Sequence, residues 1–193
     1  MTWLEVPDPF DVHGGTFPVK LVVAGGWGSG KTTFVGAISE IVPITTEAPM
    51  TEVSAEVDTG AVATKTATTV ALDFGRISLD SGLVLYLFGL PGQARFRFAW
   101  DNASQGAIGS VILADSCRIA DAFTSVDFCE GHGIPFVIAV NRFDDQLAHD
   151  LDAVRAALVL DDQVPVLDVD ARSRADAKRT LIALVQHALR ASS

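Results

Sequence analysis

Gly25-Gly26-Trp27-Gly28-Ser29-Gly30-Lys31-Thr32 is the stretch that decides how this chain folds. It satisfies G-x-x-x-x-G-K-[ST], a loop whose glycines let successive backbone N–H groups wrap a phosphate. Residues 19–24 before it, Val-Lys-Leu-Val-Val-Ala, form a short strand-like run, and Phe34, Ala37, Ile38 and Ile41 after it recur at helical spacing. The loop therefore joins a strand to a helix, whose dipole adds to the attraction for an anion. In that setting Lys31 reaches the β- and γ-phosphates and the Thr32 hydroxyl holds Mg²⁺. The expected phosphate contacts run from Gly25 through Thr33.

The composition narrows the class. A chain of 193 residues, 49% of them hydrophobic, is long and apolar enough for one domain with a full core. Its net charge of -10 argues against nucleic acid as a partner, since a phosphate backbone demands a basic face. Cys117 and Cys129 read as thiols in a reducing compartment, and the four histidines (His13, His132, His149, His187) share no metal-ligand spacing. No apolar run spans a bilayer, Met1-Thr2-Trp3-Leu4-Glu5 has no basic leader, and no lipidation motif is readable. The expectation is a cytoplasmic protein with no membrane anchor of its own.

Residues 1–17, with Pro7, Pro9, Gly14 and Gly15, read as an arm, and residues 18–193 as one domain. Residues 42–67 read as a long connection, rich in Thr, Ala and acids. Residues 69–79 and 83–88 are two strands closed by Asp80-Ser81-Gly82, hence an antiparallel hairpin. Strands at 108–114, 135–140 and 164–169 then alternate with helices marked by Ile119, Ala122, Phe123 and Val126, by Leu147, Leu151, Val154 and Leu158, and by Leu181, Leu184, Val185 and Ala188. The pattern predicts a three-layer α/β domain, a six-stranded, mostly parallel sheet with one antiparallel strand. Ligands bind such sheets beyond the carboxyl ends of the strands, at the loops beginning near residues 25, 89, 115, 141 and 170.

A phosphate loop, a long connection and then an antiparallel hairpin is a layout that resembles the Ras-like GTPases. Phe88-Gly89-Leu90-Pro91-Gly92-Gln93 stands where that family has Asp-x-x-Gly-Gln. The resemblance implies that Gly92 contacts the γ-phosphate and that Gln93 orients the attacking water, although Gln93 also suits a solvated helix start. Asn141-Arg142-Phe143-Asp144 matches Asn-Lys-x-Asp, the guanine-reading motif, so Asp144 would accept from guanine N1–H and the exocyclic amine. Asp170-Ala171-Arg172 stands where the family has Ser-Ala-Lys, placing a backbone N–H near guanine O6. Thr69, with Thr66 and Thr68 as competitors for the place, corresponds to the threonine that closes on Mg²⁺ and the γ-phosphate.

Position 89 is Gly where an acid is expected, leaving water or an acid such as Asp58 to support Mg²⁺. Arg142 replaces a lysine, with a stem that still covers a purine ring. Ala94 replaces an acid. Arg95 and Arg97 are candidates for a phosphate-stabilising arginine, against a reading as an exposed helix face; without one, hydrolysis is slow. These departures resemble the Mgl-type bacterial small GTPases, and the runs 68–77, 85–89 and 139–144 resemble the GTP-binding protein of actinobacterial conservon operons. That likeness spans about residues 19–189. It implies a signalling switch, cycling between GTP and GDP with Mg²⁺. Its state would be read by a roadblock-type protein and other conservon operon products, with any recruitment to the membrane made through them. Phe96, Phe98 and Trp100 beside Arg95 and Arg97 suit either a partner surface or packing beneath a helix, with Trp100 leaning to packing. The alternatives to a GTPase switch are a nucleotide-binding scaffold that does not turn over and an ATP-using phosphotransferase.

Overall fold

The computed structural model describes residues 16–42, 44–51, 67–79, 82–143 and 149–191. Asp58, Asp144, Leu147 and residues 1–15 of the arm lie outside these residues.

The apolar run before the phosphate loop is β1 (Phe17–Gly25), and the helix after it is α1 (Lys31–Ile38). There follow β2 (Ile44–Thr51), β3 (Ala67–Ser78), β4 (Leu83–Gly89), a 3-10 turn (Ala94–Ala99) and α2 (Trp100–Ser104). β5 (Ala107–Asp115), α3 (Ala120–Gly131), β6 (Phe136–Asn141), α4 (Leu151–Ala157), β7 (Val166–Val169) and α5 (Arg174–Ala191) complete the order.

The strands form one sheet in the order β2-β3-β4-β1-β5-β6-β7. Its inner pairs β1–β4, β1–β5, β5–β6 and β6–β7 are parallel, while β3 runs antiparallel to both β2 and β4. This is the α/β class that the sequence predicts, with β3 as the one reversed strand. The sheet gains a seventh strand, β2, from the stretch read as a connection. Ile44-Thr45-Thr46-Glu47-Ala48-Pro49-Met50-Thr51 has no clean apolar alternation. An edge position tolerates that pattern, and Pro49 with it, because one side of the strand needs no ladder.

The central strands are apolar throughout because both faces are covered. Leu21 and Val23 of β1 face a cluster with Phe34, Val35 and Ile38 of α1 and Leu181 and Leu184 of α5. Val22 and Ala24, one residue out of phase, face Trp100 of α2, Val126 of α3 and Val154 of α4. Two helices on one face and three on the other leave the carboxyl edge of β1, β4, β5 and β6 open to a ligand.

Trp100 ties the second cluster to that edge. It is buried, its ring stands edge-on to Phe128 at 5.2 Å, and its indole Nε1 donates to the Pro91 carbonyl at 3.0 Å. Trp100→Ala should therefore cost about 3–5 kcal/mol of stability in urea unfolding. A loss under about 1 kcal/mol would mean that the ring is not part of the core.

Candidate functional site

The phosphate loop leaves β1 at Gly25 and enters α1 at Lys31, with Gly25, Gly28 and Gly30 at φ of 133°, 77° and 104°. Side chains rarely adopt such angles, which is why the loop needs glycine at these positions. Lys31 is mostly buried and folds back on the loop, its Nζ donating to the Gly25 carbonyl at 2.9 Å and to the Gly26 carbonyl at 2.6 Å. Burial pushes its ammonium down to about 8, with the Asp73 carboxylate pulling the other way.

A cavity of about 640 Å³ opens in front of the loop. Trp27, Gly28, Gly30, Lys31, Thr32 and Thr33 line one side; Asp73, Gly92, Gln93 and Phe96 are among the residues opposite. Gly92 packs so closely that a methyl group built on it would lie 2.7 Å from Lys31 Nζ and 2.8 Å from Trp27 N. Its loop is held by Leu90 N donating to the Val23 carbonyl at 2.8 Å and by the Trp100–Pro91 bond. The structure thus brings Gln93 to the same cavity as Thr32.

The residue that sequence reading missed is Asp73. Its carboxylate accepts from the Thr32 hydroxyl at 2.5 Å, the length of a charge-assisted bond. Asp73 pairs with Gly89 across β3 and β4. A methyl group on Gly89 would meet Asp73 Cβ at 3.0 Å and Oδ2 at 3.3 Å. The Asp73 carboxylate thus stands beside position 89, in space that a side chain there would enter. One signal was available: residues 73 and 89 are equidistant from Ser81 in the turn, so a hairpin places them opposite. Thr32 and Asp73 offer an all-oxygen pair, which fits Mg²⁺, an ion usually held by one or two protein oxygens plus phosphate and water. Thr69 lies in β3 opposite Pro49, four residues from Asp73. That is about 13 Å along an extended strand, so in this conformation Asp73 is the β3 residue that stands at Thr32.

On the other flank, Asn141 is buried and bridges two loops. Its Nδ2 donates to the Ser29 carbonyl at 3.1 Å, and its Oδ1 accepts from Ala171 N at 2.9 Å. The phosphate loop and the loop after β7 are therefore one rigid rim. The Arg142 guanidinium stands against two acids: its Nε is 3.0 Å from Asp168 Oδ1 and its Nη2 donates to Asp176 Oδ2 at 3.1 Å. Arg172 holds both oxygens of Asp170 at 2.9 Å, and this contact keeps the Asp170 carboxyl below its ordinary range. Both guanidiniums are structural here, which leaves the aliphatic stem of Arg142 as the part free to cover a ring. Arg95 lies over the Phe96 ring at 4.8 Å, and Arg97 donates to the Thr124 hydroxyl at 2.6 Å. Of the aromatic cluster, Trp100 is core, Phe96 is partly buried against the same face, and Phe98 is 37% exposed.

Lys31 gives a pH dependence with a definite sign. A phosphate against Nζ favours the charged form and raises its pKa above the free value of about 8. Polyphosphate affinity should be level below that value and fall as pH rises through it. Calorimetric titration of GDP between about pH 6.5 and 9.5 reads this, and a flat profile would contradict the burial assigned to Lys31.

Solved structures share this fold at low identity. The FeoB G-domain from Methanococcus jannaschii superposes with a TM-score of 0.59 at 14% identity, covering 89% of this chain and 98% of that one. The G domain of the T. maritima FeoB iron transporter gives 0.59 at 18%, covering 92% and 100%. The cytosolic domain of the latter protein in a GDP form gives 0.64 at 18%, covering 91% and 65%. No protein of curated function matches the chain. The family model described as conserved hypothetical ATP binding protein matches residues 23–191, from the end of β1 through α5. With the phosphate loop, the Thr32–Asp73 pair and nearly the whole sheet inside that match, the chain belongs to this family of nucleotide-binding proteins.

Proposed function

We propose that this chain is a Ras-like switch that binds GTP and GDP with Mg²⁺, hydrolyses GTP slowly, and passes its nucleotide state to partner proteins. The observation that carries the reading is the single cavity in which the phosphate loop, the Thr32–Asp73 oxygen pair and Gly92-Gln93 face one another.

Each residue has a part in it. Backbone N–H groups from Gly26 to Thr33 cradle the phosphates, and Lys31 exchanges its two loop carbonyls for phosphate oxygens. Thr32 and Asp73 would hold Mg²⁺, which would supply positive charge to offset the charge developing on the phosphates. Gln93 lies on the cavity wall, where its side-chain carbonyl accepts from a water aimed in line at the γ-phosphorus. Water attacks, the bond to the β–γ bridging oxygen breaks, and GDP and inorganic phosphate result. Loss of the γ-phosphate frees Gly92 and the segment after it, the two-state element that a switch requires. Thr69, together with β2 and β3, is the second segment that would respond. Slow turnover follows from the arginines: Arg95 and Arg97 are engaged by Phe96 and Thr124 rather than aimed at the phosphates.

The guanine preference rests on Asp144, with Asn141 tying the phosphate loop to Ala171; the Ala171 N–H, which donates to Asn141 Oδ1, would have to exchange that acceptor for guanine O6. A carboxylate at position 144 pairs with guanine N1–H and repels the N1 acceptor of adenine. The family description favours the opposite reading, ATP, so competition decides. GTP should displace a labelled nucleotide at least about tenfold better than ATP; equal potency, or ATP ahead, would move the chain to an ATP-using phosphotransferase or ATPase. The partners proposed are a roadblock-type protein and other conservon products, met in the cytoplasm and capable of bringing the chain to a membrane.

Two substitutions separate the roles. Gln93→Leu should cut timed phosphate release by about tenfold or more while leaving GTP affinity nearly unchanged. Equal release from both proteins would remove Gln93 from the reaction, and no release from either would leave a binding-only scaffold. Asp73→Asn should raise the magnesium needed for half-maximal nucleotide binding by about tenfold; an unchanged requirement would return the metal to Thr32 alone.

A further inference from the structure

The loop after β5 runs alongside the phosphate loop, close enough to meet a side chain built on either of two of its glycines. A methyl group built on Gly26 would lie 2.5 Å from Asp121 Cβ, and one built on Gly28 would lie 3.5 Å from Arg118 Nη2. Asp115, at the end of β5, organises the intervening turn. Its Oδ1 accepts from Cys117 N at 2.9 Å and its Oδ2 from Arg118 Nε at 2.9 Å. Arg118 Nη1 stands 3.9 Å from Asp121 Oδ2, too far for a hydrogen bond. The Arg118 side chain is 47% exposed and that of Asp115 only 11%, so the anchor is fixed and the guanidinium tip is free to move.

We propose that Arg118 is a phosphate-contacting residue: hinged on Asp115, its guanidinium folds over Gly28 onto the phosphates of a bound nucleotide and slows their departure. The inference rests on the nucleotide site above and adds a residue that neither the motifs nor the family assignment contains. The chemistry suits the position. A nucleoside diphosphate or triphosphate brings several negative charges to a cavity whose own cation, Lys31, sits among loop carbonyls. A planar guanidinium offers paired donors that match phosphate oxygens. Leaving Asp121 gives up only a long, exposed ion pair, which is worth little in water, while the Nε–Asp115 bond stays as the pivot. Of the arginines after Gln93, Arg95 lies over the Phe96 ring and Arg97 donates to the Thr124 hydroxyl.

Inorganic pyrophosphate with magnesium probes the phosphates without the base, and release of a fluorescent GDP analogue probes residence. Arg118→Ala should weaken pyrophosphate by about tenfold and speed GDP release by a similar factor, with the melting temperature unchanged. Arg118→Lys should restore part of both. If Arg118→Ala does not fold, Arg118→Gln, which keeps length without charge, carries the same expectation. Pyrophosphate affinity and release equal to wild type would overturn this inference alone and leave the nucleotide site standing. A wild-type chain that ignores pyrophosphate, GDP and GTP would overturn both. Weakening that follows a lowered melting temperature and is not rescued by lysine would make Arg118 a prop of the turn, and overturn its role at the phosphates.

Discussion

An oxygen pair delivered by two different elements, the Thr32 hydroxyl from the start of α1 and the Asp73 carboxylate from β3, is the contact on which the nucleotide end of this fold depends. Position 89 carries no side chain, and a methyl group there would crowd Asp73 at 3.0 Å, so the acid has the room in which it leans toward the phosphate loop. The hairpin register that pairs 73 with 89 is thus part of the site, as surely as the glycines of the loop.

Much of the fold was legible because the buried strands are apolar without interruption and the phosphate loop states which end of β1 is open. β2 was not legible, since Thr, Glu, Ala and Pro in sequence carry no two-residue period, and edge pairing leaves little compositional trace. The lining of the cavity was legible where a motif is local, from Trp27 to Thr33 and at Gly92 and Gln93. It was obscure where the chemistry crosses strands. Asp73 sits inside an otherwise apolar segment, Leu72-Asp73-Phe74, and only the pairing with Gly89 gives it meaning. Arg142 and Arg172 are a further case: no local motif announces that Asp168, Asp176 and Asp170 hold their guanidiniums.

The electrostatics follow one logic. A chain of net charge -10 must bind a polyanion with a few well-placed groups, not a basic surface. Backbone N–H dipoles, a buried Lys31 whose pKa is pushed down to about 8, and a carboxylate poised for a divalent ion meet that need. The Gly25 and Gly26 carbonyls accept from Lys31 Nζ, so binding a phosphate would exchange one set of partners for another. Asn141, tying the phosphate loop to Ala171, joins that loop to the one after β7 by a buried bridge.

Calorimetric titration of GTP, in magnesium and again with the ion chelated, tests the central claim most directly. The account predicts one site per chain whose affinity falls by about tenfold or more without the metal. Absence of binding at millimolar nucleotide, or binding indifferent to magnesium, would contradict it.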